Sequence, residues 1–280
     1  MGNEKSSSTT LSKSDRTQLA KKTVNEIIPS ILRTHPQTKK AVSSSTLLVE
    51  SDVQSQASSS ATKPRSSPMV ITVVEDDTLA AARALAQSAS SAGRVGILNM
   101  ASPLRPGGGL LTGASSQEES LCMRTTLYPS LREEWYRLPE TGVVYSPDVL
   151  VFRTPELVDL SKAERWSVDV LTCAALRLPE VTTAGDAYVH QKDRDAMRSR
   201  MVQIMRVARM KGVRKLVLGA FGCGAYGNPP KEVAQLWKSV LCGTARRPAE
   251  EFAVEEVVFA IKALGQQGKE NLTVFEATFT

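Results

Sequence analysis

The stretch Ile97-Leu98-Asn99-Met100-Ala101, then Pro106-Gly107-Gly108-Gly109, a seven-residue spacer from Leu110 to Ser116, and Gln117-Glu118-Glu119 decides how this chain is read. The first five residues form a short apolar run suited to a buried strand, and Gln117 to Tyr128 has the pattern of a helix. Between them, three successive glycines permit positive φ and let backbone approach a ligand with no Cβ in the way. Strand, glycine loop, paired carboxylates and helix follow in the order that a nucleotide site in an α/β protein requires. Triple glycine alone also fits an ordinary surface turn. Ser116 to Glu119 is likewise a capping box, with Ser116 as cap and Glu119 as its reciprocal partner.

Outward from this stretch, strands and helices alternate, which predicts an α/β sandwich. Val70 to Val74 reads as a strand, Thr78 to Ser91 as a helix, and Val95 to Ala101 as the strand entering the glycine loop. Val143 to Tyr145 and Val149 to Phe152 read as two short strands, and Val168 to Ala174 as a more buried one. Arg194 to Lys211 is a long amphipathic helix, Lys215 to Ala220 a strand, Val233 to Leu241 a helix and Val254 to Ile261 a last strand. Strand Lys215 to Ala220 leads into a second glycine loop, Phe221-Gly222-Cys223-Gly224-Ala225-Tyr226-Gly227-Asn228. Ligands of open α/β sheets settle outside the carboxyl ends of strands, so this loop can close on the same cleft as Gly107 to Gly109. A tight strand-to-helix turn would use the same residues.

With 280 residues, 41% of them hydrophobic, the chain can bury one substantial core. No apolar run approaches the roughly 20 residues needed to span a bilayer, and the first ten residues lack an apolar signal core. A soluble intracellular protein, nuclear or cytoplasmic and without membrane contact, is expected. The four cysteines form no CxxC pair and there are two histidines, His35 and His190, so neither a disulfide framework nor a metal site is indicated. The expected chemistry runs on carboxylates, on backbone amides or on the substrate itself, with no cofactor and no metal.

The net charge of +6 is unevenly spread: through Pro68 there are ten Lys or Arg and five Asp or Glu. This basic arm could steer a polyanion, and direct contact with nucleic acid is one form of that; solvated helix faces are also often basic. Residues 1–12 are poor in apolar side chains and are expected to be a disordered tail. Residues 13–50 are expected to be an N-terminal helical segment packed on the core; a helical period runs from Ser14 to Leu32, with Leu19, Val24, Ile27, Ile28 and Ile31 on or near one face and Pro29 interrupting it. Residues 51–68, rich in Ser, Gln and Ala, read as a flexible insert, and 69–280 as the catalytic core.

Taken together, GGG, a short spacer and QEE, flanked by Leu98-Asn99-Met100-Ala101 and by Leu121-Cys122 to Tyr128, resemble the signature of the poly(ADP-ribose) glycohydrolases, in particular their microbial and fungal branch. The resemblance covers almost everything except the tail and the insert. It implies a macrodomain-like three-layer α/β/α sandwich with a mixed sheet and an N-terminal accessory helix. It further implies hydrolysis of ribose–ribose bonds that releases ADP-ribose from poly(ADP-ribose). Glu119 would then be the general acid, and afterwards the base that activates water. Glu118 would position ribose hydroxyls, with Gln117 supporting the loop.

The glycines Gly107, Gly108, Gly109, Gly222 and Gly224, with Phe221, Cys223 and Ala225, would line the diphosphate, and Tyr226 would pack on a ribose. Asn99, at the end of the entering strand, joins the substrate-binding set. Asp77 sits where the wider superfamily accepts the adenine amino group, although as the residue before a helix it is equally a cap. The asparagine that many binding-only relatives carry just before the glycine loop is Ser102 here. The helix N-terminus lowers the pKa expected for Glu119, whereas desolvation and a nearby diphosphate raise it, and a working acid needs the second effect to win. ADP-ribosylated proteins are further possible partners. Removal of mono-ADP-ribose from an acceptor and a non-catalytic ADP-ribose reader are the competing readings.

Overall fold

The computed structural model describes residues 11–57, 68–88, 93–245 and 247–280. Helix α1 (Lys13–Lys22) runs through a π-helical stretch at Thr23–Ile27 into α2 (Ile28–Thr34), followed by α3 (Pro36–Ser43), β1 (Thr46–Leu48) and α4 (Glu50–Ala57). Then come β2 (Val70–Val74), α5 (Thr78–Gln87), β3 (Arg94–Met100), α6 (Gln117–Arg124), β4 (Val143–Val151) and β5 (Trp166–Cys173). The chain continues with α7 (Gln191–Met210), β6 (Val213–Leu218), α8 (Pro230–Cys242), β7 (Glu256–Ala260) and α9 (Gly265–Phe279).

The strands form one seven-stranded sheet in the order β1-β4-β5-β3-β6-β7-β2. β4 lies antiparallel to β1 and β5, and every other neighbouring pair is parallel. Parallel strands are covered on both faces, and successive side chains of one strand point to opposite sides. Leu98, Leu216, Leu218 and Phe259 enter the cluster beneath α7, α8 and α9 with Met201, Trp237 and Phe275. Ile97, Val217 and Val258 enter the opposite cluster with Ala82 and Leu85 of α5 and Leu121 of α6. Helices on both faces of a mixed sheet give the α/β sandwich expected from the alternation of strands and helices.

Several local expectations are corrected. Residues 51–57 belong to α4, with Val53 4% exposed in the core, because one apolar side chain and the acidic first turn suffice to hold a short helix against α7. The remainder of the expected insert, 58–67, and most of the expected tail, 1–10, lie outside the described residues. The two short strands expected after Gly142 are one strand, β4, whose pairing with β5 shifts between Ser146 and Val149. Asp148 there takes φ +47 and its N–H donates to Asp169. α6 ends at Arg124 rather than Tyr128: Thr125 turns extended and bridges to Val151. β1, α3 and α9 were not anticipated.

The N-terminal segment bears on the loop that precedes α6. Arg16 of α1 donates through Nε to the Gly113 carbonyl at 2.8 Å. Gly113 has φ +78, and a Cβ there would run into Lys13 and Thr17 of α1. At the other end of α6, Arg153 joins the Met123 carbonyl at 2.9 Å to Thr23 Oγ1 at 2.7 Å. Part of the basic character of the N-terminal segment is therefore spent on holding this loop.

Candidate active site

β3 and β6 are adjacent and parallel in the middle of the sheet, so the loops that leave their carboxyl ends lie side by side. The first loop brings its backbone against two carboxyl groups. Glu118 and Glu119 open α6 and are 3% and 5% exposed. The Gly109 N–H donates to Glu119 Oε1 at 2.7 Å, while Glu119 Oε2 accepts from the Ser116 N–H at 3.0 Å and from the Ser116 hydroxyl, closing the capping box. Glu118 Oε2 accepts from the Ser102 N–H at 2.8 Å, and Glu118 Oε1 lies 3.4 Å from Asn99 Nδ2. Gly108 has φ +56, and a Cβ on it would stand 2.7 Å from Glu119 Oε1 and 2.8 Å from Glu118 Oε2. One backbone point thus touches both carboxyls. Gln117 ties α6 to β3 by accepting from the Met100 N–H at 2.8 Å and donating to the Leu98 carbonyl at 2.7 Å.

The second loop is pinned by Asn228, whose Nδ2 donates to the carbonyls of Leu176 at 2.7 Å and Gly222 at 3.1 Å. Gln267 of α9 donates to the Cys223 carbonyl at 2.9 Å. Gly222 takes φ +76 with Ala175 and Asn228 packed against it, whereas Gly224 has open space where a Cβ would stand.

The two loops enclose a groove with two lobes. One, about 430 Å³, is lined by Glu118, Glu119, Gly108, Gly109, Gly222, Ala225 and Tyr226, with Ser102, Leu104, Arg105 and Arg177 at its margin. The other, about 380 Å³, is lined by Asp76, Asp77, Lys262 and Gln267 among others. Met100, Ser116, Gln117, Ala220 and Gly224 line both. Asp77 caps α5 through the Leu79 N–H at 3.0 Å and also meets Arg124 Nη1 at 2.8 Å and Lys262 Nζ at 2.9 Å. Burial raises its pKa, but Arg124 and Lys262 outweigh burial and hold it below the usual carboxylate value. Such a groove is shaped for an extended ligand with two ends of different chemistry.

The microbial-type PARG catalytic domain matches residues 20–154, the part that carries α6 and the first loop. The structure of poly(ADP-ribose) glycohydrolase (PARG) from Thermomonospora curvata is 31% identical, with TM-score 0.78, and the alignment covers 94% of this chain and 99% of that one. This chain belongs to the microbial-type PARG family. The T. curvata protein bound to the inhibitor ADP-HPD aligns at 29% identity and TM-score 0.73, over 94% of this chain and 99% of that one. The Deinococcus radiodurans PARG in complex with ADP-ribose aligns at 28% identity and TM-score 0.70, over 87% of this chain and 96% of that one. No curated protein matches the sequence.

The residues singled out from sequence divide into two groups. Glu118, Glu119, Gly108, Gly109, Gln117, Gly222, Gly224, Ala225 and Tyr226 line the glutamate lobe, and Asp77 lines the other. Asn99, Phe221 and Cys223 do not reach the groove: all three have 0% exposure. Asn99 stands behind Glu118, between it and Thr172 Oγ1 at 3.2 Å, and Phe221 packs toward Trp237 with ring centroids 6.5 Å apart. Their side chains fall on the core side of strand ends where the sequence shows only proximity to a loop. Gly107 is also behind the groove; with φ +65 it accepts the Tyr128 ring where a Cβ would be. Arg105, Arg177, Arg124, Lys262 and Gln267 were missed, since lone cations and an amide in polar sequence carry no signal.

Electrostatically the two glutamates differ. Burial pushes the pKa of Glu118 up to about 8, reinforced by the neighbouring Glu119 and opposed by the Ser102 N–H and Asn99. Burial therefore favours the neutral form of Glu118. Cys122, fully buried beneath the pair, has its thiol pushed well up by desolvation, which keeps it un-ionised. Among the described residues no group of His, Cys, Asp and Glu could hold a metal ion, and no helix is long and apolar enough to cross a membrane.

Proposed function

We infer that the chain is a poly(ADP-ribose) glycohydrolase that releases ADP-ribose by hydrolysing the ribose–ribose O-glycosidic bond. The observation that carries this is the single two-lobed groove in which both glycine loops and both glutamates meet. The Asp77 lobe takes the adenosine end, with the Asp77 carboxylate receiving the adenine amino group as the half-exposed Lys262 gives way. Backbone of the two glycine loops holds the diphosphate, since amide N–H groups and φ-positive glycines form anion-binding concavities. Tyr226 packs on the distal ribose, which reaches the glutamates.

Glu119 donates a proton to the leaving ribose oxygen as the anomeric C–O bond breaks, leaving an oxocarbenium-like ribose. As a carboxylate it then takes a proton from water while the water oxygen bonds to the anomeric carbon, which restores Glu119 and yields ADP-ribose. Glu118, kept neutral by burial, hydrogen-bonds the ribose hydroxyls. Neighbouring helical side chains point about 100° apart, so the pair cannot flank the bond as opposed acid and nucleophile. One consideration favours exchanged roles: burial raises the pKa of Glu118, so Glu118 is the carboxyl suited to carry a proton before substrate binds.

The test is incubation of purified protein with poly(ADP-ribose) and, separately, with mono-ADP-ribosylated protein, with free ADP-ribose as readout. Release from polymer supports the reading. Release only from the mono-modified protein, or tight ADP-ribose binding with no release, transfers it to an acceptor hydrolase or a reader. Comparing Glu118→Gln with Glu119→Gln assigns the acid to the variant that loses more turnover.

A further inference from the structure

At the margin of the glutamate lobe, away from the Asp77 lobe, stand Arg105 on the loop after β3 and Arg177 on the loop after β5. Both are exposed. Nearly every other arginine that touches a functional element here is committed: Arg124 to Asp77, Arg153 to Asp159, Arg16 to backbone carbonyls. Arg105 and Arg177 form no ion pair among the described residues. Beside them two large apolar side chains are unusually open, Leu104 at 46% and Leu178 at 66% exposure. Leu178 is held with φ +52 and its N–H bound to the Tyr226 carbonyl at 2.9 Å, so its position is fixed to the second glycine loop.

We propose that Arg105, Arg177, Leu104 and Leu178 form a second subsite that binds the leaving ADP-ribose unit of the polymer. The inference rests on the glycohydrolase reading above. When one ADP-ribose fills both lobes, the oxygen that Glu119 protonates belongs to the ribose of the next adenosine, which itself carries a diphosphate. Beyond the glutamates the substrate therefore continues as a flat apolar base and about two negative charges. Two guanidiniums without an ion pair among the described residues, on the loops after the adjacent strands β3 and β5, match the diphosphate in sign, and planar N–H donors suit phosphate oxygens. The two leucines offer apolar surface to the base. An acceptor amino acid on a mono-modified protein has neither feature, so this margin selects polymer over single modifications.

The experiment compares wild type with the double variant Arg105→Ala/Arg177→Ala on two substrates: an ADP-ribose dimer, and a truncated dimer whose leaving unit is adenosine without the diphosphate. ADP-ribose affinity is measured by calorimetry alongside. The expected result is a KM for the full dimer raised about tenfold or more with kcat little changed, a shallower salt dependence, and nearly equal KM values for the truncated dimer in both proteins. ADP-ribose affinity stays at the wild-type value. Equal loss on both substrates, or weakened ADP-ribose binding, places the arginines on the retained unit and overturns the proposal, as does an unchanged KM for the full dimer. If wild type cleaves neither substrate, the glycohydrolase reading itself fails, an outcome distinct from all of these.

Discussion

The two glycine loops look alike in sequence and do different work. In the first, each glycine is crowded by the protein: Gly107 by the Tyr128 ring, Gly108 by both glutamates, Gly109 by Ala114. In the second, Gly222 is crowded by Ala175 and Asn228, but Gly224 meets nothing within 4 Å and Gly227 only Leu178 at 3.6 Å. The first loop needs glycine to bring backbone against its own carboxyls. At Gly224 the second loop keeps open space on the wall of the groove. One loop is shaped around its own carboxyls, the other around the groove beside them.

This contrast is broken most forcefully at Gly108. Gly108→Val places a β-branched side chain at positive φ and inside both carboxylates, so it should cost about 2–6 kcal/mol of stability and abolish turnover. Urea unfolding and a turnover assay check it, and an unaltered midpoint would show that the first loop is not crowded as described. Next in size is Glu119→Gln. Glutamine keeps one acceptor for the capping box but turns its NH2 toward the Gly109 or the Ser116 N–H, so a stability cost of about 1–3 kcal/mol is expected, while turnover of the folded variant falls about 10²-fold or more. Unchanged turnover in the folded variant would return Glu119 to a purely structural role.

Gly224→Val supplies the opposite arm of the comparison. Folding should change by less than about 0.5 kcal/mol, as at an open surface position, while ADP-ribose affinity drops about tenfold or more, equivalent to at least 1.4 kcal/mol. Calorimetry on the folded variant decides it. A pH series then sharpens the picture of the first loop. Because the pKa of Glu118 is raised from 4.5 to about 8 in the fold, its neutral form is favoured there. Its contribution to stability is complete below about pH 4.5 and is lost as the pH rises through about 8. Unfolding free energy should fall across that window, and Glu118→Gln should flatten the slope. The smallest effect is expected for Gln267→Ala, which frees the Cys223 carbonyl: about 1 kcal/mol, seen as a few-fold weaker ADP-ribose binding.

Much of this was legible before any coordinates. The strand–glycine–glutamate–helix order at 97–124 carries the site because each step has its own residue chemistry, and the apolar runs of β3, β5, β6 and β7 mark doubly covered strands. Facing was not legible. Asn99, Phe221 and Cys223 sit one position from groove-lining residues, and sequence adjacency at a strand end does not say which side of the sheet a side chain takes. β1 has three residues and finds its place only by pairing with β4. α9 begins with two glycines and a polar turn, so local propensity argues against it; Phe275 and Phe279 against Phe259 hold it instead. Arg105 and Arg177 look like any exposed arginines until the fold sets them at one margin.

Both outer strands of the sheet come from the first 74 residues, and their partners are made much later. β1 waits for β4, and β2 waits for β7, the last strand of the sheet. On a ribosome β1 therefore emerges with no partner until β4 at 143–151 follows, and β2 with none until β7 at 256–260 does, a long-range topology that folds slowly and exposes such edges meanwhile. The groove inherits this timing. Asp77 follows β2 and its partner Lys262 follows β7, so one lobe comes into existence only when the closing strand docks, and a nascent chain stalled before residue 256 has both glutamates but only part of the groove.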